Sequence, residues 1–256
     1  MGIHMKKKSH AALRKASLLA SLLFTAASLQ AASIVWTFDT GATTCPNPSS
    51  GTCKGEAVFN YTPGASSFTI TLNNLLPDIK DAGELLTDVQ FTTTLAGLAL
   101  TSSSGIPVNI DGSGNATVGS AITTGWAFGS IGPNPNTWLL CVICRGNTGD
   151  PSTSTAPAHG IVPNEASYPN ANNSIAGNGP HNPVLESGAT FNFSTTSVLP
   201  INPSIDPFSN VFISFGTTFG EVGTTASAPE PLTPLLAGAG LIALGLIGRR
   251  RRTIKA

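Results

Sequence analysis

Ser67-Phe68-Thr69-Ile70-Thr71-Leu72 is the stretch whose reading decides the fold class. Phe68, Ile70 and Leu72 alternate with threonines, so in an extended chain they share one face. Threonine on the opposite face is β-branched and accepts partial contact with water, which is the composition of a half-buried strand. Similar short runs recur outward from it, at Ile34–Phe38, Ala57–Tyr61, Leu86–Thr94, Ala96–Thr101, Ala116–Ile122, Trp126–Phe128, Trp138–Ile143, Ala189–Ser194 and Val211–Phe215. Val211-Phe212-Ile213-Ser214-Phe215 is nearly all apolar and reads as a central strand. Asp111-Gly112-Ser113-Gly114-Asn115 is a turn that joins two strands. No long segment shows a 3.6-residue period, and the only helical candidate is a turn around Pro77–Glu84. An all-β chain is expected, with a single β-sandwich or jelly-roll-like body over residues 33–219.

Residues 145–185 break the pattern. They are dense in Pro, Asn, Gly and Ser with hardly any β run, and are expected to form an ordered, loop-rich excursion over the sandwich. Residues 220–228 read as a polar linker.

The chain has 256 residues, with 13 Lys+Arg and 13 Asp+Glu. The balance hides segregation. Residues 1–32 hold five bases and no acid, 33–228 three bases and twelve acids, and 229–256 five bases and one acid. The body is therefore acidic, which argues against nucleic acid as a partner held by bulk charge. With 27 Gly, 19 Pro and 41% hydrophobic residues, the chain is neither collagen-like nor highly charged and disordered.

Both basic blocks flank apolar runs. Lys6, Lys7, Lys8, Arg14 and Lys15 precede the run Ala16 to Ala27, and small residues follow, with Ala27 or Ala31 before the cleavage point. Residues 1–32 are thus expected to be a signal peptide read by the Sec export machinery. At the other end come Pro229-Glu230-Pro231, then an apolar run to Gly248, then Arg249, Arg250, Arg251 and Arg252. A transmembrane helix is expected over 232–248. It is shorter than the roughly 20 residues that span a bilayer comfortably. The arginines would stay cytoplasmic, which leaves the body outside the inner membrane. Each end gives the same topology.

The tail Pro229-Glu230-Pro231, apolar run and Arg cluster resembles the PEP-CTERM sorting signal of Gram-negative bacteria. Leu232 follows the motif where Ser or Thr is common, and Pro234 adds a kink. The resemblance covers 229–256 and implies processing by an exosortase, a membrane protease-transpeptidase, with the tail removed near the motif. The protein would then be anchored transiently and end at the cell surface or outside the cell. The runs Phe68–Leu75, Leu85–Phe91 and Asn210–Thr217 also resemble the β-sandwich bodies of other exosortase-sorted surface proteins. Such systems accompany extracellular polysaccharide, so the resemblance implies a biofilm or envelope role with exopolysaccharide as a partner. Gly238-Ala239-Gly240-Leu241-Ile242-Ala243 matches a dinucleotide fingerprint, but it sits inside the apolar run without the strand, helix and acid that fingerprint needs.

The cysteines are Cys45, Cys53, Cys141 and Cys144. An even count in an exported chain favours disulfides, and three pairings exist. Local pairing, Cys45–Cys53 and Cys141–Cys144, is the simplest. A thioredoxin-like role for the CxxC would need a helix N-terminus, and a zinc site would need both pairs to meet.

Catalytic motifs are absent: there is no HExxH, no GxSxG and no phosphate-binding glycine loop. His159 and His181, the histidines of the body, are expected as exposed loop residues. No cofactor is expected, with calcium as the one candidate ligand. Asp78, Asp81, Glu84 and Asp88 cluster in sequence, and Asp111, Ser113 and Asn115 have the spacing that opens a calcium loop, although Ile122 stands where the closing Glu belongs. The expected function is a non-enzymatic surface or matrix protein. A carbohydrate-binding module is the alternative, with Trp36, Tyr61, Trp126, Trp138 and Tyr168 as a stacking platform. A hydrolase with two carboxylates about 5–9 Å apart is the third reading.

Overall fold

A computed structural model describes residues 31–39, 52–144, 158–202, 205–220 and 222–225. The signal peptide through Gln30, Cys45, the sorting motif Pro229–Pro231, the 232–248 run and Arg249–Arg252 lie outside the described residues. Among the described residues no helix is long and apolar enough to cross a membrane.

Among the described residues, eleven strands form the body: β1 (Ala32–Asp39), β2 (Lys54–Tyr61), β3 (Ser67–Asn74), β4 (Leu86–Thr93), β5 (Ala99–Ile110), β6 (Ala116–Val118), β7 (Ala127–Ser130), β8 (Thr137–Cys141), β9 (Val184–Ser194), β10 (Phe208–Phe215) and β11 (Val222–Thr225). They make two antiparallel sheets, ordered β1-β2-β3-β9-β5-β6 and β11-β10-β4-β8-β7. The arrangement is all-β and consistent with a β-sandwich.

Alternation sets which faces meet. In β3, Phe68, Ile70 and Leu72 are buried while Thr69, Thr71 and Asn73 are half-buried. Antiparallel register carries this face to Phe59 and Tyr61 of β2 and to Phe191 and Phe193 of β9. Phe68 and Phe193 lie directly opposite and stack, with ring centroids 4.9 Å apart. The second sheet supplies Val89, Phe91, Leu140, Phe208, Ile213 and Phe215 to the same core. Phe59 joins the sheets, 4.5 Å from Phe208 and 5.5 Å from Phe91 between centroids. Each such ring contributes roughly 1.5–3 kcal/mol through burial.

The 158–183 segment is an ordered excursion with a core of its own. Ile161 bridges Leu86 of β4 and Leu185 of β9. Val162, Tyr168, Ile175 and Ala176 pack on Ile79, Ala82 and Leu85 before β4 and on Val108 and Ile110 of β5. Asn182 closes the segment: its Oδ1 accepts from Ile110 N at 2.9 Å, and its Nδ2 donates to the carbonyls of Ile175 and Asn178.

Several boundaries differ from expectation, among them β6, which ends at Val118, and β9, which begins at Val184 inside the expected loop-rich region. β5 continues to Ile110 because β9 pairs along its length, and polar bonds such as Asn192 Nδ2 to Ser102 Oγ, 2.9 Å, fasten its hydroxyl-rich half. β1 begins at Ala32, inside the stretch expected as signal peptide. Val222–Thr225 form β11 on β10, so the expected 220–228 linker contributes a strand to the body.

Candidate functional site

The outer face of the five-stranded sheet holds the one grouping of chemically active side chains that stands out among the described residues. Val89 and Phe91 of β4 point into the main core. Alternation therefore turns Asp88 to the other face. Register sets Asp88 opposite Ser214 of β10 on one side and Cys141 of β8 on the other. Leu140 enters the main core, whereas Leu139 and Cys141 join Ile131 and Cys144 in a small outer cluster, with Ala127 and Phe219 packed against it.

Asp88 is 1% exposed. Ser214 Oγ donates to its Oδ2, and the backbone of Gly220, in the turn after β10, donates a further hydrogen bond. Its Oδ1 has no hydrogen-bond partner among the described residues. Burial dominates over these two bonds and pushes the carboxyl from its ordinary value up to about 7. The group can therefore hold or release a proton near neutral pH.

Cys141 and Cys144 form a disulfide with Cα atoms 5.5 Å apart. Cys53 is disulfide-bonded as well, while Cys45 lies outside the described residues. Cys141 ends β8 and Cys144 follows it in irregular chain, so among the described residues no helix N-terminus stands behind the CxxC.

The expected calcium residues make local hydrogen bonds. Asp111 Oδ1 accepts from the backbone of Ser113 and Asn115, and Oδ2 accepts from Asn115 Nδ2 at 2.9 Å, which closes the β5–β6 turn and holds the Asp111 carboxyl below its ordinary range. Asp81 caps a short 3-10 turn at Ala82–Glu84 by accepting from Gly83 N. Asn170 Nδ2 donates to both oxygens of Asp78, 2.8 Å each, and so ties the 158–183 excursion to the β3–β4 connection. Asp78 and Asp81 precede β4, Asp111 and Asn115 follow β5, and no group of three potential ligands comes together among the described residues. Glu84, expected with the acid cluster, is buried and accepts from the backbone of Lys80 and Asp81.

The aromatic residues are not a surface platform. Trp36, Tyr61, Trp126 and Tyr168 are buried, and half-buried Trp138 stacks on Phe128 with centroids 5.0 Å apart. The histidines are half-buried, not exposed as expected. His159 Nδ1 lies 2.7 Å from the Thr124 carbonyl, and its own carbonyl accepts from Trp126 Nε1. His181 Nδ1 is buried without a partner among the described residues, and burial lowers its pKa.

The sequence alone places Asp88 only in a loose acid cluster. The signal for its role was present in Leu85-Leu86-Thr87-Asp88-Val89-Gln90-Phe91, a strand-like run in which a single acid must be buried or turned outward. No protein-family model and no curated protein matches the chain.

Proposed function

We propose that this chain is a non-enzymatic exported cell-surface or extracellular-matrix protein, sorted by an exosortase and associated with exopolysaccharide. One observation carries the reading. The described strands run from Ala32 to Thr225, so the sheet framework overlaps the expected signal peptide at Ala32 alone and ends before the sorting segment. Cleavage after Ala31 would leave β1 whole. Removal of the tail near Pro229 would leave β11 whole. The Cys141–Cys144 disulfide supports an oxidising destination.

In this reading the two-sheet body is a jelly-roll-like sandwich. It follows a signal peptide and precedes one short transmembrane helix over 232–248. The burial of Trp36 and Trp126 and the stacking of half-buried Trp138 on Phe128 give no support to the carbohydrate-module alternative, so polysaccharide would be met through the acidic surface and bridging cations.

The test is fractionation of the native cell with mass spectrometry of both mature ends. A surface form that starts at or near Ala32 and ends near Pro229 is expected. Intact Arg249–Arg252 in the surface fraction would overturn exosortase processing. A glycan array probed with the processed body then separates a matrix component from a specific glycan binder.

A further inference from the structure

We propose that Cys141–Cys144 is a thiol-exchange site for a small thiol, in which Asp88 passes a proton to the Cys141 sulfur as the disulfide opens. Three observations converge on it. Asp88 and Cys141 are direct cross-strand partners on the outer face. Side chains so paired have Cβ atoms about 4.5–5.5 Å apart, within reach for a carboxyl and a sulfur. Asp88 is buried and its Oδ1 has no partner among the described residues, although Oδ2 is engaged by Ser214. A carboxyl oxygen left over in an apolar surround is a costly feature, and it stands beside the one neighbour whose chemistry needs a proton.

Exposure sets the direction of attack. Cys144 is 6% exposed and Cys141 is 0% exposed, so the approaching thiolate meets the Cys144 sulfur. So narrow an opening suits a low-molecular-weight thiol better than a protein face. The new bond forms to Cys144 Sγ, and the electron pair of the old bond moves to Cys141 Sγ. That nascent thiolate is buried among Ile131 and Leu139, where charge is expensive, and it takes the proton of Asp88. A second thiol of the reductant attacks the reductant's own sulfur in the mixed disulfide. Cys144 leaves with a proton from that thiol, and Asp88 regains a proton from water. The reductant ends as a disulfide, and the cysteine pair has gained two electrons and two protons. The groups facing Asp88 are Ser214 from β10, Cys141 from β8 and the backbone of Gly220, and no charged side chain among the described residues adds to its shift.

The full-length chain in mild detergent is reduced with dithiothreitol between pH 6 and 8, and differential alkylation with mass spectrometry follows Cys141 and Cys144 separately from Cys53. Rates are corrected for the thiolate fraction of the reagent. With the carboxyl at about 7, the protonated fraction of Asp88 falls about tenfold across this range, and the corrected rate is expected to fall with it. Asp88→Asn is expected to flatten the profile. Ser214→Ala removes a hydrogen bond to the carboxylate, so the inflection is expected to move to higher pH, and this variant serves if Asp88→Asn does not fold. Glutathione quenched with iodoacetamide is expected on Cys144, with Cys141 alkylated. The same corrected profile in wild type and Asp88→Asn, an unmoved inflection in Ser214→Ala, or glutathione on Cys141 overturns the proposal.

Discussion

Replacing Asp88 by Asn is expected to change how stability depends on pH, and the size of the change follows from burial. Burial raises the carboxyl from 3.8 to about 7 in the folded protein. The folded state thus holds the proton more tightly than the unfolded chain does. The favourable contribution is fully present below about pH 3.8 and declines as pH rises, until it is lost above about pH 7. At about 1.4 kcal/mol per pH unit, the loss amounts to roughly 4 kcal/mol. In a domain of this size 1 kcal/mol moves the melting temperature by about 2–4 °C, so the effect is on the order of 10 °C. Asn keeps the shape and an acceptor for Ser214 but does not titrate. Urea or thermal unfolding of wild type and Asp88→Asn, without reductant, gives the difference curve from pH 4 to 8. Glu186 and Asp206, also raised by burial, and Asp111, lowered by its turn, cancel in that difference. Asn should gain on Asp as pH rises. A flat difference curve would refute the burial argument.

Gly114→Ala should destabilise the protein by about 2–3 kcal/mol, because Gly114 has φ +79° and a Cβ there would collide with the Tyr168 carbonyl. Hydrogen exchange should then show the 158–183 segment opening first, since Tyr168 N bonds Gly114 O at 2.8 Å. Phe208→Ala should cost about 3–5 kcal/mol in chemical denaturation, since its ring touches Phe59, Phe68 and Phe91 at the join between the sheets. Millimolar calcium should leave the melting temperature unchanged, because the oxygens of Asp78 and Asp111 already accept local hydrogen bonds; a clear upward shift would restore the calcium reading.

Much of the strand framework was legible because alternation is a local signal. Phe68-Thr69-Ile70 declares its buried face without reference to any partner. β5 beyond Thr101 was not legible, since Ser102-Ser103-Ser104 lacks an apolar face and Pro107 argues against a strand. Its extended form comes from β9, which is distant in sequence. β11 was hidden for a similar reason: Val222-Gly223-Thr224-Thr225 reads as a polar spacer until Phe212–Phe215 of β10 lie beside it. The candidate site was least legible of all. A carboxyl, a hydroxyl and a disulfide meet there from β4, β10 and β8, and nothing in the spacing of Asp88, Cys141 and Ser214 says that these strands are neighbours.

The position of β9 also governs the order in which the chain can fold. β9 lies between β3 and β5, and both pairings span long stretches of sequence. Until residues 184–194 emerge, β3 and β5 each present an open edge. The second sheet waits longer, because β4 gains its partner β10 only from residues 208–215. Such late, non-local closure is slow and leaves unpaired edges prone to aggregation. Fragments that stop before Val184 should therefore be insoluble. A body that cannot close early is also one that stays threadable, which suits a chain we propose crosses a membrane before it folds.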